Sequence, residues 1–169
     1  MLEDSTSIAR ALLLTLESAP CGHPRLTAGV LCRAPGDAAV EIATRTAEAL
    51  GMEVVKVRLA GFEYHPGAIN LFAHDRFEAA VAKGRPVLVI FDGAHEADRG
   101  LLPVLASAVA KRVEEQPCAI LAICTSAGLD GVVADLAEGL EVDASRIAAG
   151  RTSAENARLA EWVARANAD

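Results

Sequence analysis

Arg85-Pro86-Val87-Leu88-Val89-Ile90-Phe91-Asp92-Gly93-Ala94-His95-Glu96-Ala97-Asp98 is the stretch whose reading decides the fold. Residues 87–91 are apolar without interruption, and the run is strand-sized. It ends on a carboxylate and is broken by a glycine. A strand apolar at every position is buried on both faces, which is the habit of a parallel sheet covered by helices. Residues 118–124, Cys-Ala-Ile-Leu-Ala-Ile-Cys, form a second run of the same kind.

Working outward, strands alternate with helical patterns. Residues 5–18 place Ile8, Leu12, Leu13 and Leu16 near helical spacing, and a loop with Pro20, Gly22 and Pro24 follows. Residues 27–32 read as a short buried strand. After Pro35-Gly36, Asp37 is expected to cap a helix reaching Leu50, with Val40, Ala43, Ala47 and Leu50 as its inner face and Gly51 as its stop. A strand over 53–59, a loop rich in breakers (Gly61, Pro66, Gly67) and a helix over 75–83 precede the deciding stretch. Beyond it come a helix over 98–115, with Pro103 near its tolerant first turns, the 118–124 strand, a short helix near 131–138 and a weaker strand near 145–149. Thr152-Ser-Ala-Glu155 is a capping-box pattern opening a helix that holds Leu159, Trp162 and Val163. The alternation predicts a three-layer α/β/α sandwich with a mainly parallel sheet. A single domain over residues 1–169 is expected.

Composition narrows the function classes. Apolar residues make up 52% of the chain and aromatic ones only 4%, so the core is built from Ala, Val, Leu and Ile. The net charge of −7 argues against a general nucleic-acid binder. No apolar run approaches the ~20 residues of a membrane span, and the first residues lack the basic and apolar regions of a signal peptide. A cytoplasmic protein is expected. Cys21, Cys32, Cys118 and Cys124 form no C-x-x-C pair and read as small buried hydrophobes in a reducing compartment.

Two segments in this order and at this spacing resemble the P-loop NTPases, in particular the AAA+ and STAND ATPases. The deciding stretch is similar to that group's Walker B strand, which runs on into Ala-His and Ala-Asp. The loop Arg33-Ala34-Pro35-Gly36-Asp37-Ala38-Ala39-Val40 occupies the place of the phosphate loop, G-x-x-x-x-G-K-[ST]. The resemblance puts the two glycines at Arg33 and Ala38, the lysine at Ala39 and the magnesium-binding hydroxyl at Val40. It makes Asp92 the carboxylate that holds Mg²⁺ and gives Gly93 the position of the acid that orients the attacking water. The 118–126 segment resembles the sensor-1 strand, with Thr125 placed to touch a phosphate. No lid or winged-helix domain is recognisable after the last helix. For the strand at 27–32, the resemblance requires a place beside the 87–92 strand or its direct neighbour, with loop 33–39 at their C-terminal ends.

The missing groups carry weight. One lost charged hydrogen bond costs about 1.5–3 kcal/mol, about ten- to a hundredfold in affinity. Here lysine, hydroxyl and glycines are replaced together, and Asp37 adds a carboxylate that repels phosphates. The water-activating position is lost separately.

Other groupings are weaker. His95 could serve as a substitute base, although the family stretch carries a histidine there anyway. His23, His65, His74 and His95 with Cys21 or Asp75 match no zinc spacing, and no nucleophile elbow is present. Phe62 and Tyr64 in the 61–67 loop form either a partner site or a cover over a sheet edge. Arg146 and Arg151 stand where oligomeric ATPases place a trans-acting arginine, and read here as surface charges.

The leading expectation is a degenerate, non-catalytic member of the AAA+/STAND type, acting as a protein-interaction or regulatory module. It has no catalytic residues, no metal and no resident cofactor, and it binds a protein partner or itself. The alternative is an ATP-binding or ATP-hydrolysing protein with an atypical loop, in which Gly36, Asp37, Ala38, Ala39, Val40, Asp92 and Thr125 would contact Mg-ATP or ADP. A third reading, an unrelated α/β binding domain, stays open because fold alone does not fix function.

Overall fold

A computed structural model describes residues 26–59, 76–98, 100–112 and 116–168. The expected helix at 5–18, the loop at 61–67, Cys21, His23, His74 and Asp75 lie outside these residues. In chain order the described elements are β1 (Leu26–Cys32), α1 (Ala39–Ala49), β2 (Glu53–Arg58), α2 (Glu78–Ala82), β3 (Val87–Asp92), α3 (Leu101–Ala110), β4 (Cys118–Cys124), α4 (Leu129–Leu140), β5 (Ala148–Arg151) and α5 (Ser153–Ala168). Short 3-10 turns occupy Ala94–Glu96, Ser126–Gly128 and Ala144–Arg146.

The five strands form one sheet in the order β2-β3-β4-β1-β5, and every pairing is parallel. β1 therefore lies beside β4, the direct neighbour of β3, with the 33–38 loop at the C-terminal strand ends. That is the arrangement the resemblance requires.

Continuous apolar strands have a direct structural cause. Alternate residues of each strand face opposite layers. Val30, Val89, Phe91, Ile120 and Ala122 pack on one side with Leu101, Leu105 and Val109 of α3 and Leu136 and Leu140 of α4. Leu31, Leu88, Ile90, Leu121 and Ile123 pack on the other with Ala39, Ala43 and Ala47 of α1. Both faces are buried, so no position tolerates a polar residue. Full burial of each Val, Leu or Ile contributes about 1.5–3 kcal/mol.

Several boundaries depart from expectation. Asp37 does not cap α1: the N-cap is Ala38, with no side-chain cap bond, because the Asp37 carboxylate is engaged elsewhere. The inner face of α1 is Ala39, Ala43 and Ala47, all fully buried, while Leu50 stands 48% exposed past the helix end. Three alanines at intervals of four let the helix lie close on the sheet, and they shift its buried stripe one residue towards the N-terminus. Val40 is only half-buried at the edge of that core. α4 is longer than the expected 131–138 segment, and β5 starts at Ala148 because a 3-10 turn occupies 144–146.

Candidate functional site

A cavity of about 450 Å³ opens at the C-terminal ends of β1, β3 and β4. Its wall includes Arg33, Gly36, Arg58, Asp92, His95 and Thr125. In open parallel sheets this end of the strands is where ligands bind. β1 ends at Cys32 and delivers Arg33 to the rim, where the Arg33 amide donates to the Cys124 carbonyl at 3.1 Å. β3 ends at Asp92 and β4 delivers Thr125.

The central contact is between the first two of these. Arg33 Nη2 donates to Asp92 Oδ1 at 3.0 Å, with both side chains partly buried. The carboxylate that ends β3 is thus held by a guanidinium. That guanidinium belongs to the first residue after β1.

The next position is shaped by backbone. Gly93 has φ 69 and ψ 36, in the left-handed region. Side chains enter that region at a cost, so an acid here would be strained by the turn now present. His95 lines the cavity with Nε2 3.3 Å from Glu96 Oε1, while its Nδ1 is buried without a hydrogen-bond partner in the described structure. Gly128 presses on it: a Cβ at Gly128 would fall 2.3 Å from His95 Cβ.

The seven loop and strand residues expected to contact a nucleotide divide into two groups. Gly36, Asp92 and Thr125 meet at the cavity. Ala38 is exposed, Ala39 is fully buried in the core under α1, and Val40 is half-buried beside it. Asp37 faces the start of α5, where Thr152 Oγ1 donates to its Oδ2 at 2.6 Å. No lysine or hydroxyl stands at the first turn of α1, whose sequence begins Ala39-Val40-Glu41.

A second polar cluster ties α5 to the strand ends. Thr152 and Glu155 are fully buried. The Glu155 amide donates to Thr152 Oγ1 at 3.2 Å, which is half of the expected capping box. The other half is absent, because the Thr152 amide bonds to the Cys32 carbonyl instead. The Glu155 carboxylate accepts two bonds from Arg158, at 2.7 and 2.8 Å, and one from Ser126 at 2.5 Å. The Arg158 bonds, aided by Ser126, hold its carboxyl below the ordinary glutamate value. Arg151 Nε stands 3.5 Å from Ser126 Oγ. Among the described residues, no group of three or more His, Cys, Asp or Glu side chains is arranged to hold a metal ion. No described helix is long and apolar enough to cross a membrane.

Solved structures share this architecture. Cdc6p from Pyrobaculum aerophilum superposes with a TM-score of 0.55 at 16% identity, over 86% of this chain and 44% of its own. A P216G mutant of Thermotoga maritima RuvB gives 0.54 at 17%, over 88% and 46%. The Thermotoga maritima RuvB described as a Holliday junction branch migration motor gives 0.52 at 18%, over 86% and 43%. No protein-family model and no curated protein matches the sequence. The chain has a P-loop NTPase-like α/β fold, and it spans less than half the length of these solved chains.

Proposed function

We propose that this chain is a non-catalytic domain of AAA+/STAND-like fold that serves as a protein-interaction or regulatory module. The observation that carries the reading is the Arg33–Asp92 pair. A nucleotide-bound Mg²⁺ at Asp92 would have to displace a guanidinium and then sit beside it, with cation repelling cation. The groups that offset such a cost in an ATPase, a loop lysine and a helix-start hydroxyl, are alanine and valine here. Gly93 offers no carboxylate to orient water.

An interaction role draws support from α5. Its N-terminus is anchored by Thr152 and Glu155, yet Trp162 is 66% exposed and Val163 48%. Large apolar side chains exposed to solvent on a helix anchored at its N-terminus suit contact with another protein. The charge of −7 favours a protein over a nucleic acid as partner.

The alternative, nucleotide binding through an atypical loop, draws on the cavity itself and on Gly36, Asp92 and Thr125 in its wall. Phosphate release from Mg-ATP separates the proposal from the hydrolysing form of the alternative, and nucleotide titration separates it from the binding form. The proposal expects wild-type protein and an Asp92→Asn variant to release phosphate at the same background rate. A wild-type rate that falls on substitution of Asp92 would establish hydrolysis at this site.

A further inference from the structure

Cys32 and Cys124 are the last registered pair of β1 and β4. Both side chains are buried on the same face of the sheet. Their Sγ atoms are 3.8 Å apart although 92 residues separate them in sequence. Paired strands lie about 4.8 Å apart, within the Cα separation of roughly 4.4–6.8 Å that a disulfide spans. Closing the bridge to an S–S bond of about 2.05 Å requires a small approach at strand ends, where the sheet gives way to loops. Cys124 forms part of the cavity wall and the fully buried Cys32 adjoins it, so an oxidant of peroxide size would reach Cys32 from the cavity past Cys124. We propose that Cys32 and Cys124 are a thiol pair that a hydroperoxide converts to a reversible disulfide beside the cavity.

The surroundings divide the roles. Either sulfur can be the donor in their contact; that contact and the positive charge of Arg151 lower the Cys32 thiol against the opposition of burial. The contact with Cys32 and burial hold the Cys124 thiol well above the ordinary thiol range. Cys32 is thus the attacking thiolate and Cys124 the resolving thiol. In the first step Cys32 sulfur attacks a peroxide oxygen. An S–O bond forms, the O–O bond breaks, and hydroxide leaves and is protonated to water. In the second, Cys124 sulfur attacks that sulfenic sulfur. The S–S bond forms, the S–O bond breaks, and the departing hydroxide takes the Cys124 proton. Two thiols and one hydrogen peroxide give one disulfide and two waters.

Cys118 supplies an internal control. It sits at the far end of β4, its thiol bonded to the Gln116 carbonyl at 3.3 Å and pushed up to about 11 by burial. The bridge would pin the residues immediately before Arg33 and Thr125, and so would act on the cavity rim.

Peptide mapping of the folded wild-type protein after hydrogen peroxide treatment, without reductant, tests this. The expected result is loss of the mass of two hydrogens, one cross-link joining the peptides that hold residues 32 and 124, and complete reversal by dithiothreitol. Cys118 stays free. With Cys124→Ala, a sulfenic-acid probe should label Cys32, and with Cys32→Ala it should label neither Cys118 nor Cys124. A link through Cys21 or Cys118, or both thiols still reduced when Cys118 has begun to oxidise, overturns the proposal on the wild-type protein alone.

Discussion

Arg33 and Asp92, 59 residues apart in sequence, meet at 3.0 Å across the mouth of the strand-end cavity. The two side chains are 32% and 23% exposed, so solvent screens the pair. It contributes at most about 1 kcal/mol to stability. Its importance lies in where it stands. A double-mutant cycle of Arg33→Ala with Asp92→Asn, followed by urea unfolding, should give a coupling energy below about 1 kcal/mol that shrinks in high salt.

Gly93 restricts what could be restored at this site. Its φ of 69 disfavours any side chain. Gly93→Ala and Gly93→Glu should each lower stability by about 1–2 kcal/mol in urea unfolding. Equal stability to wild type would mean the turn reshapes readily.

Gly128 is constrained by space. A Cβ there would meet His95 Cβ at 2.3 Å, and the neighbour is the stem of a side chain, not its flexible end. Gly128→Ala should cost about 1–3 kcal/mol through overpacking, seen as an earlier unfolding midpoint with an unchanged denaturant slope.

Thr152 serves two groups at once, the Asp37 carboxylate and the Glu155 amide. Thr152→Val should lose a charge-assisted bond of about 1.5–3 kcal/mol and a cap of about 1 kcal/mol. Thr152→Ser keeps the hydroxyl and should recover most of the loss.

Glu155 gives the chain a defined acid sensitivity. Its folded carboxyl lies below the ordinary value of 4.5, chiefly through Arg158. A group depressed on folding contributes stability that is complete above its unfolded pKa and is lost as pH falls through the folded pKa. The stability difference between wild type and Glu155→Gln should therefore be constant near neutrality and shrink only below 4.5. A difference that shrinks already near neutrality would contradict this.

The layer architecture was legible because residues 87–91 of β3 and all of β4 are apolar without a break, and only a strand covered on both faces imposes that. The loop at 33–38 and the acid at 92 were legible as positions, since each follows directly from a strand end. What the sequence hid is pairing at long range. Nothing local says that the Arg33 side chain turns to Asp92, or that Asp37 bonds Thr152 115 residues away instead of capping α1. Cys32 and Cys124 could be read as buried, but their register depends on β1 lying beside β4. Leu50 was misjudged because helical periodicity extends past Ala49, where the backbone has already left the helix.

Calorimetric titration of the wild-type chain with Mg-ATP and with ADP tests the central claim most directly. With Asp92 held by Arg33 and no lysine or hydroxyl at the first turn of α1, neither nucleotide should bind even at millimolar concentration. Micromolar binding of either, weakened by Asp92→Asn, would contradict it.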